Sequence, residues 1–116
     1  MEMNMITVDC TDPRSLAEFW TAALGVEIAA DYGAFVMLTR PLTGGPVLGF
    51  QQVPEPRAGK NRVHVDFGAA DREAEVRRLV GLGATERDRQ SQPGIEWTVL
   101  EDPEGNVFCV SNQGAH

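Results

Sequence analysis

Three ionisable side chains alternate with apolar ones in the stretch Arg62-Val63-His64-Val65-Asp66-Phe67. As a strand, this stretch turns Val63, Val65 and Phe67 to one face and Arg62, His64 and Asp66 to the other. Such a face does not suit a dry apolar layer; it suits a partly solvated concavity or a ligand pocket. Arg62 offers a planar cation able to clamp a carboxylate or phosphate, and His64 can exchange protons near neutral pH. Asp66 can orient the imidazole, which makes His64 and Asp66 a candidate general acid/base pair. Arg62 and Asp66 lie about 13 Å apart by strand rise, too far for a direct pair, and a closed structural network would carry the same residue types. The two cysteines, Cys10 and Cys109, have no paired-ligand spacing such as C-x-x-C. Both read as reduced thiols, and Cys109 reads first as a small, buried, inert side chain.

The elements that would hold these residues follow from periodicity and punctuation. Residues 4–10 alternate weakly and form a first strand. Asp12 then caps a helix that Pro13 opens and Gly25 ends, with Leu16, Phe19, Trp20, Ala23 and Leu24 as its apolar stripe. Trp20 belongs to that stripe and so to the core. Strands are expected over 26–30, 34–39 and 46–53, divided by turn-like D-Y-G and L-T-G-G segments. The segment PEPRAGKN over 54–61 reads as a connection.

The second half repeats this plan. A strand over 62–67 leads to a helix capped by Asp71, striped by Val76, Leu79, Val80 and Leu82 and ended by Gly83, then to strands over 84–89, 95–101 and 107–112. The polar face of that helix, with Arg72, Glu73, Glu75, Arg77 and Arg78, reads as solvated surface carrying charge pairs. Asp102-Pro103-Glu104-Gly105-Asn106 reads as a tight hairpin connection. Asp12 and Asp71 are 59 residues apart and the two Leu-Gly helix ends 58 apart, as a diverged duplication would leave them. The expected organisation is one domain over 1–116, with module one at 1–54, a linker at 55–61 and module two at 62–116.

A length of 116 residues suits one compact domain without disulfide or metal staples. The net charge of −7 and pI near 4.7 oppose nucleic acid or an anionic membrane as partner. No apolar run approaches the roughly 18 residues that span a bilayer, and the N-terminus has no basic-then-apolar leader pattern. A cytoplasmic protein is the plain expectation.

The phrases LAEFWTAALG at 16–25, KNRVHVDF at 60–67 and EDPEGNVFCV at 101–110 resemble the glyoxalase / bleomycin-resistance / dioxygenase group, the vicinal oxygen chelate superfamily, and in particular its glyoxalase-like domain branch. The resemblance covers nearly the whole chain. It implies an α+β fold of two βαβββ modules whose sheets form a half-open cup, often within a homodimer. It says much less about activity, since such proteins include isomerases, ring-cleaving oxygenases, thiol transferases, epimerases and drug-sequestering proteins without catalysis.

The resemblance also implies where metal ligands would stand. A histidine usually sits seven residues before the aspartate that starts each module's helix, which gives His64 in module two but Met5 in module one. A glutamate usually falls seven residues after the first aspartate of the D-P-x-G-N turn, and here that residue is Cys109. The remaining position falls near 50–52, where Gln51 or Gln52 offers only an amide oxygen. This set lacks the anionic oxygen that offsets dehydration of a hard divalent ion, so no metal is expected; zinc, held by His64 and Cys109 as thiolate, is the alternative.

The expected function is therefore binding of a small, partly apolar molecule in the cup. Met5, Thr7, Gln51, Arg62, His64, Trp97 and Cys109 are the expected ligand-contacting residues. The alternative is a lyase, isomerase or dioxygenase-like enzyme using His64 with a residual metal, or His64 with Asp66 as acid and base.

Overall fold

The computed structural model of the protein describes residues 1–56, 58–61 and 63–112. The chain divides into two compact units, Met1–Arg57 and Ala58–His116. In the first, strand β1 (Met5–Cys10), helix α1 (Pro13–Leu24) and strands β2 (Ile28–Asp31), β3 (Phe35–Leu38) and β4 (Val47–Gln52) follow in order. The second has β5 (Val65–Gly68), α2 (Arg72–Leu82), β6 (Thr85–Gln92), β7 (Ile95–Glu101) and β8 (Val107–Ser111). The sheet orders β1-β4-β3-β2 and β5-β8-β7-β6 are the same topology written twice. Both modules are thus βαβββ units of the α+β class, as the repeated helix caps and Leu-Gly stops imply.

In module one, Asp12 accepts a hydrogen bond from the Ser15 amide at 3.1 Å, and Gly25 ends α1 at φ 68°, a conformation that costs glycine little. Leu16, Ala17, Phe19 and Trp20 bury the helix stripe. They lie on the sheet face formed by Val36, Leu38, Phe50 and Cys10, and each large apolar side chain so buried contributes about 1.5–3 kcal/mol. Met5, Thr7 and Asp9 point the other way, with their β4 partners Val47, Gly49 and Gln51. Gly49 has a local reason to be glycine: a Cβ there would meet Phe35 Cζ at 2.8 Å and Met5 Sδ at 2.9 Å.

Module two repeats the logic with a narrower core. Asp71 accepts from the Ala74 amide at 3.0 Å. Of the expected stripe on α2, Val76 and Leu79 are buried, but Val80 and Leu82 are exposed. The helix rests on the face carrying Leu100, Phe108, Val110 and the buried Thr98. A second departure concerns Arg72, expected on the solvated face. Its side chain is only 10% exposed, and it donates to Thr98 Oγ1 and to Glu96 Oε2 at 3.0 Å. A buried hydroxyl on β7 needs a partner, and this guanidinium supplies it. In the D-P-E-G-N connection the buried Asp102 carboxylate accepts from the amides of Glu104 and Asn106, both at 2.9 Å, and Gly105 takes φ 87°.

Strand β5 begins at Val65 rather than at 62, so His64 stands at its mouth, Val63 is exposed, and Arg62 lies outside the described residues. Strand β6 runs three residues beyond its expected end to Gln92, and Pro93-Gly94 closes a hairpin with β7. Among the described residues no helix is long and apolar enough to cross a membrane.

Candidate functional site

The parallel pairing of β5 with β8 sets the site. Its register puts Asp66 opposite Cys109, and the antiparallel β7–β8 ladder puts Val99 opposite Cys109 on the far side. Paired residues share a face, so Asp66, Cys109 and Val99 form one row on the face turned away from α2. His64, two residues before Asp66, belongs to the same face. The imidazole Nε2 is 3.5 Å from Asp66 Oδ1, and the ligand-type atoms of His64, Asp66 and Cys109 all lie within 4.8 Å of one another. The His64 and Asp66 side chains are 51% and 69% exposed, whereas Cys109 is buried.

The environment of Cys109 is legible in its acidity. Burial pushes the thiol up to about 11, and the neighbouring Asp66 carboxylate adds to this by its charge and by a hydrogen bond. In the protein as it stands, Cys109 is therefore a protonated thiol at neutral pH and a poor nucleophile.

Beside this cluster a cavity of about 260 Å³ opens among Lys60, Asn61, His64, Arg87, Val99, Glu101 and Val107. Val99 and Val107 give it apolar wall, while Lys60 and Arg87 bring cations. Arg87 Nη1 meets Glu101 Oε1 at 3.4 Å with both groups retaining solvent contact. The Oδ1 of Asn61 is buried without a hydrogen-bond partner among the described residues. The β6–β7 register shifts between Glu86 and Asp88, leaving Arg87 as the extra residue at an irregularity that re-aims its side chain.

The expected site residues fall into two groups, with Arg62 outside the described residues. Met5, Thr7 and Gln51 share the helix-free face of module one, on β1 and β4. His64, Asp66 and Cys109 come together in module two, and Trp97 lies on the same face further along β7, paired with Ser111. Lys60, Asn61, Arg87 and Glu101 were not anticipated as site residues. Lys60 and Asn61 sit in a segment that reads as linker, and the irregularity at Arg87 defeats parity counting along β6. The one available signal was the charge of Lys60 beside the His64 strand.

The four positions where the resemblance implies metal ligands hold Met5, the Gln51 region, His64 and Cys109. A thioether, an amide, an imidazole and a protonated thiol do not fit a hard divalent ion. The β5–β8 register brings a further group, the Asp66 carboxylate, to Cys109.

The fold is that of the vicinal oxygen chelate superfamily. Similar solved structures include a glyoxalase/bleomycin resistance protein/dioxygenase family enzyme from Burkholderia phytofirmans PsJN, at 19% identity, 96% of this chain and 98% of that one, and TM-score 0.78. A glyoxalase/bleomycin resistance protein/dioxygenase from Nocardioides matches at 16% identity over 99% and 86% of the two chains, TM-score 0.77. Lactoylglutathione lyase from Agrobacterium tumefaciens matches at 19% identity over 94% and 91%, TM-score 0.68. Among proteins with curated descriptions none matches the sequence significantly. The profile of the Glyoxalase-like domain family matches residues 5–111, and the chain belongs to that family.

Proposed function

We propose that this glyoxalase-like domain binds a small, partly apolar molecule bearing an anionic group, and does so without the divalent metal quartet implied for its superfamily. The observation that carries the reading is the module-two cavity, where Lys60 and Arg87 flank an apolar wall of Val99 and Val107 beside His64. Its volume of about 260 Å³ lies just below the roughly 300–1,000 Å³ of drug-sized sites, which favours a small metabolite. An arriving carboxylate would compete with Glu101 for Arg87, whose side chain is 57% exposed and so open to a ligand. The homodimer that the resemblance implies and the cytoplasmic setting expected from the sequence belong to the same proposal; light scattering should then give a mass near twice 12.6 kDa.

The test is a thermal-shift screen of small aromatic and aliphatic carboxylates against their neutral amides, followed by calorimetry on the best pair. A ligand at a hundred times its dissociation constant stabilises the fold by about 2.7 kcal/mol. Carboxylates should outperform amides, and Lys60→Ala or Arg87→Ala should remove most of the difference. Equal binding of acid and amide, or indifference to both substitutions, would overturn the reading.

A second reading is favoured by the 3.5 Å approach of His64 Nε2 to Asp66 Oδ1. In this reading the imidazole moves a proton on the bound molecule while Asp66 holds the ring in place. It requires turnover of a ligand by the wild-type protein and its loss in His64→Ala. Ligand that binds and is recovered unchanged leaves the binding reading alone standing.

A further inference from the structure

We propose that the anionic molecule taken by the module-two cavity is a zwitterion, a small amino acid or close relative, whose carboxylate meets Lys60 and Arg87 and whose ammonium meets Glu101. The inference rests on the anion-binding reading and deepens it, because it adds a cationic group that a carboxylate pocket alone does not call for.

The placing of Glu101 carries it. Glu101 ends β7 opposite Val107, the first residue of β8, and Val99 precedes it on the same strand and face. One step before the Val65–Phe108 pair, the same row continues to His64. The Glu101 carboxylate is thus framed by two valines in the cavity wall, and its side chain is only 19% exposed. The neighbouring cations stand differently, since Lys60 and Arg87 are both exposed. Water screens them well and Glu101 poorly.

A ligand carboxylate that engages Arg87 therefore comes up against a carboxylate already there. Arg87 Nη1 meets Glu101 Oε1 at 3.4 Å, so an oxygen bonded to the same guanidinium is also a neighbour of Glu101. Two like charges then share one cation where water is scarce. A simple carboxylate bears this repulsion in full. An ammonium on the adjoining carbon reverses it, presenting its donors to Glu101 while the ligand carboxylate keeps Arg87 and Lys60. Asn61 offers a second acceptor. Its Oδ1 is buried without a hydrogen-bond partner among the described residues, and its Nδ2 donates to the Val63 carbonyl at a long 3.4 Å. So weak a tether lets the amide turn its oxygen toward an arriving N–H, which would satisfy it. The aliphatic or aromatic side chain of the ligand then lies on Val99 and Val107.

The experiment is calorimetric titration of the wild-type chain with two matched sets. One is leucine, isocaproate, isocaproamide and isoamylamine; the other is phenylalanine, hydrocinnamate, hydrocinnamamide and phenethylamine. In at least one set the amino acid should bind about tenfold or more tighter than its deamino acid, the deamino acid tighter than its neutral amide, and the amine weaker than the amino acid. Glu101→Gln, which keeps the shape of the side chain, should move the two acids in opposite directions. The amino acid should lose about tenfold, while the deamino acid holds or gains because its competitor for Arg87 is gone. Deamino acids that bind as tightly as the amino acids in both sets would overturn the proposal, and would leave the anion reading standing if they still exceed their amides. Equal binding of acids and amides, or no binding by any member of either set, would remove both readings together. A folded Glu101→Gln variant that weakens isocaproate as much as leucine would also overturn the proposal, because Glu101 would then be supporting Arg87 and not reading an ammonium.

Discussion

Replacing Asp66 by asparagine keeps the size of the side chain and removes its charge from beside Cys109. The two ligand atoms are no more than 4.8 Å apart, and the Asp66 side chain is 69% exposed. At that separation an elementary charge acts with about 3.5 kcal/mol at an effective dielectric of 20 and about 0.9 kcal/mol in bulk water. The exposure of Asp66 puts the pair toward the watery end, so about 1–2 kcal/mol is expected, or roughly one pH unit. The thiol should thus titrate near pH 10 in Asp66→Asn instead of at the about 11 of the wild-type protein. Burial, the larger cause, still holds it above the ordinary 9.0. The assay is thiolate absorbance against pH in a Cys10→Ser background, with the alkylation rate at pH 8 as an independent reading. That rate should rise about tenfold, following the thiolate fraction. A second consequence concerns stability. The folded chain holds the Cys109 proton more tightly than the unfolded chain, so this contribution is fully present below about pH 9 and is lost as pH rises through about 11. Alkaline destabilisation over that window should be smaller in Asp66→Asn. An unchanged or raised midpoint in the variant would refute the coupling, and a midpoint at or below 9.0 would refute the primacy of burial.

Three further outcomes test the packing. Unfolding entropy of about 2.1 cal/mol/K per residue converts 1 kcal/mol into a Tm change of roughly 4 °C for a chain of this length. Arg72→Ala leaves the Thr98 hydroxyl buried without its guanidinium, so a loss of about 2 kcal/mol and a Tm lower by about 8 °C are expected; a change below about 2 °C would mean the residue is mere surface. Asp102→Ala strips acceptors from the Glu104 and Asn106 amides and should cost about 2–3 kcal/mol, read by urea denaturation at constant m-value. On α2, Leu79→Ala should cost about 2–5 kcal/mol and Val80→Ala under about 1 kcal/mol; equal losses would show that the helix buries a broader face.

Much of the architecture was readable because it rests on local signals. Aspartate caps, Leu-Gly stops and the D-P-E-G-N turn each satisfy or free specific backbone groups, and each marks its element within a residue or two. Strand β6 was legible only in part. Its sequence TERDRQSQ has no apolar alternation, so its length is set by the ladder with β7 and by Pro93-Gly94 instead of by a buried face. The same limit explains Arg72 and Arg87. An arginine in a charged run looks solvated until the neighbouring strand reveals Thr98 beneath it, and an arginine at a register shift has no parity to count. The meeting of Asp66 with Cys109 depends on which strand adjoins β5, and strand adjacency is not written in either segment.

That adjacency bears on how the protein is made. In each module the first strand pairs with the last, β1 with β4 and β5 with β8. During synthesis β5 would wait beside the ribosome exit with no partner among the strands of its own sheet until β8 emerged. Such distant pairing closes late and slowly. His64 and Asp66 would be translated well before Cys109, so the row they share with it would assemble only after β8 had emerged, and a chain stalled before Val107 would lack it entirely.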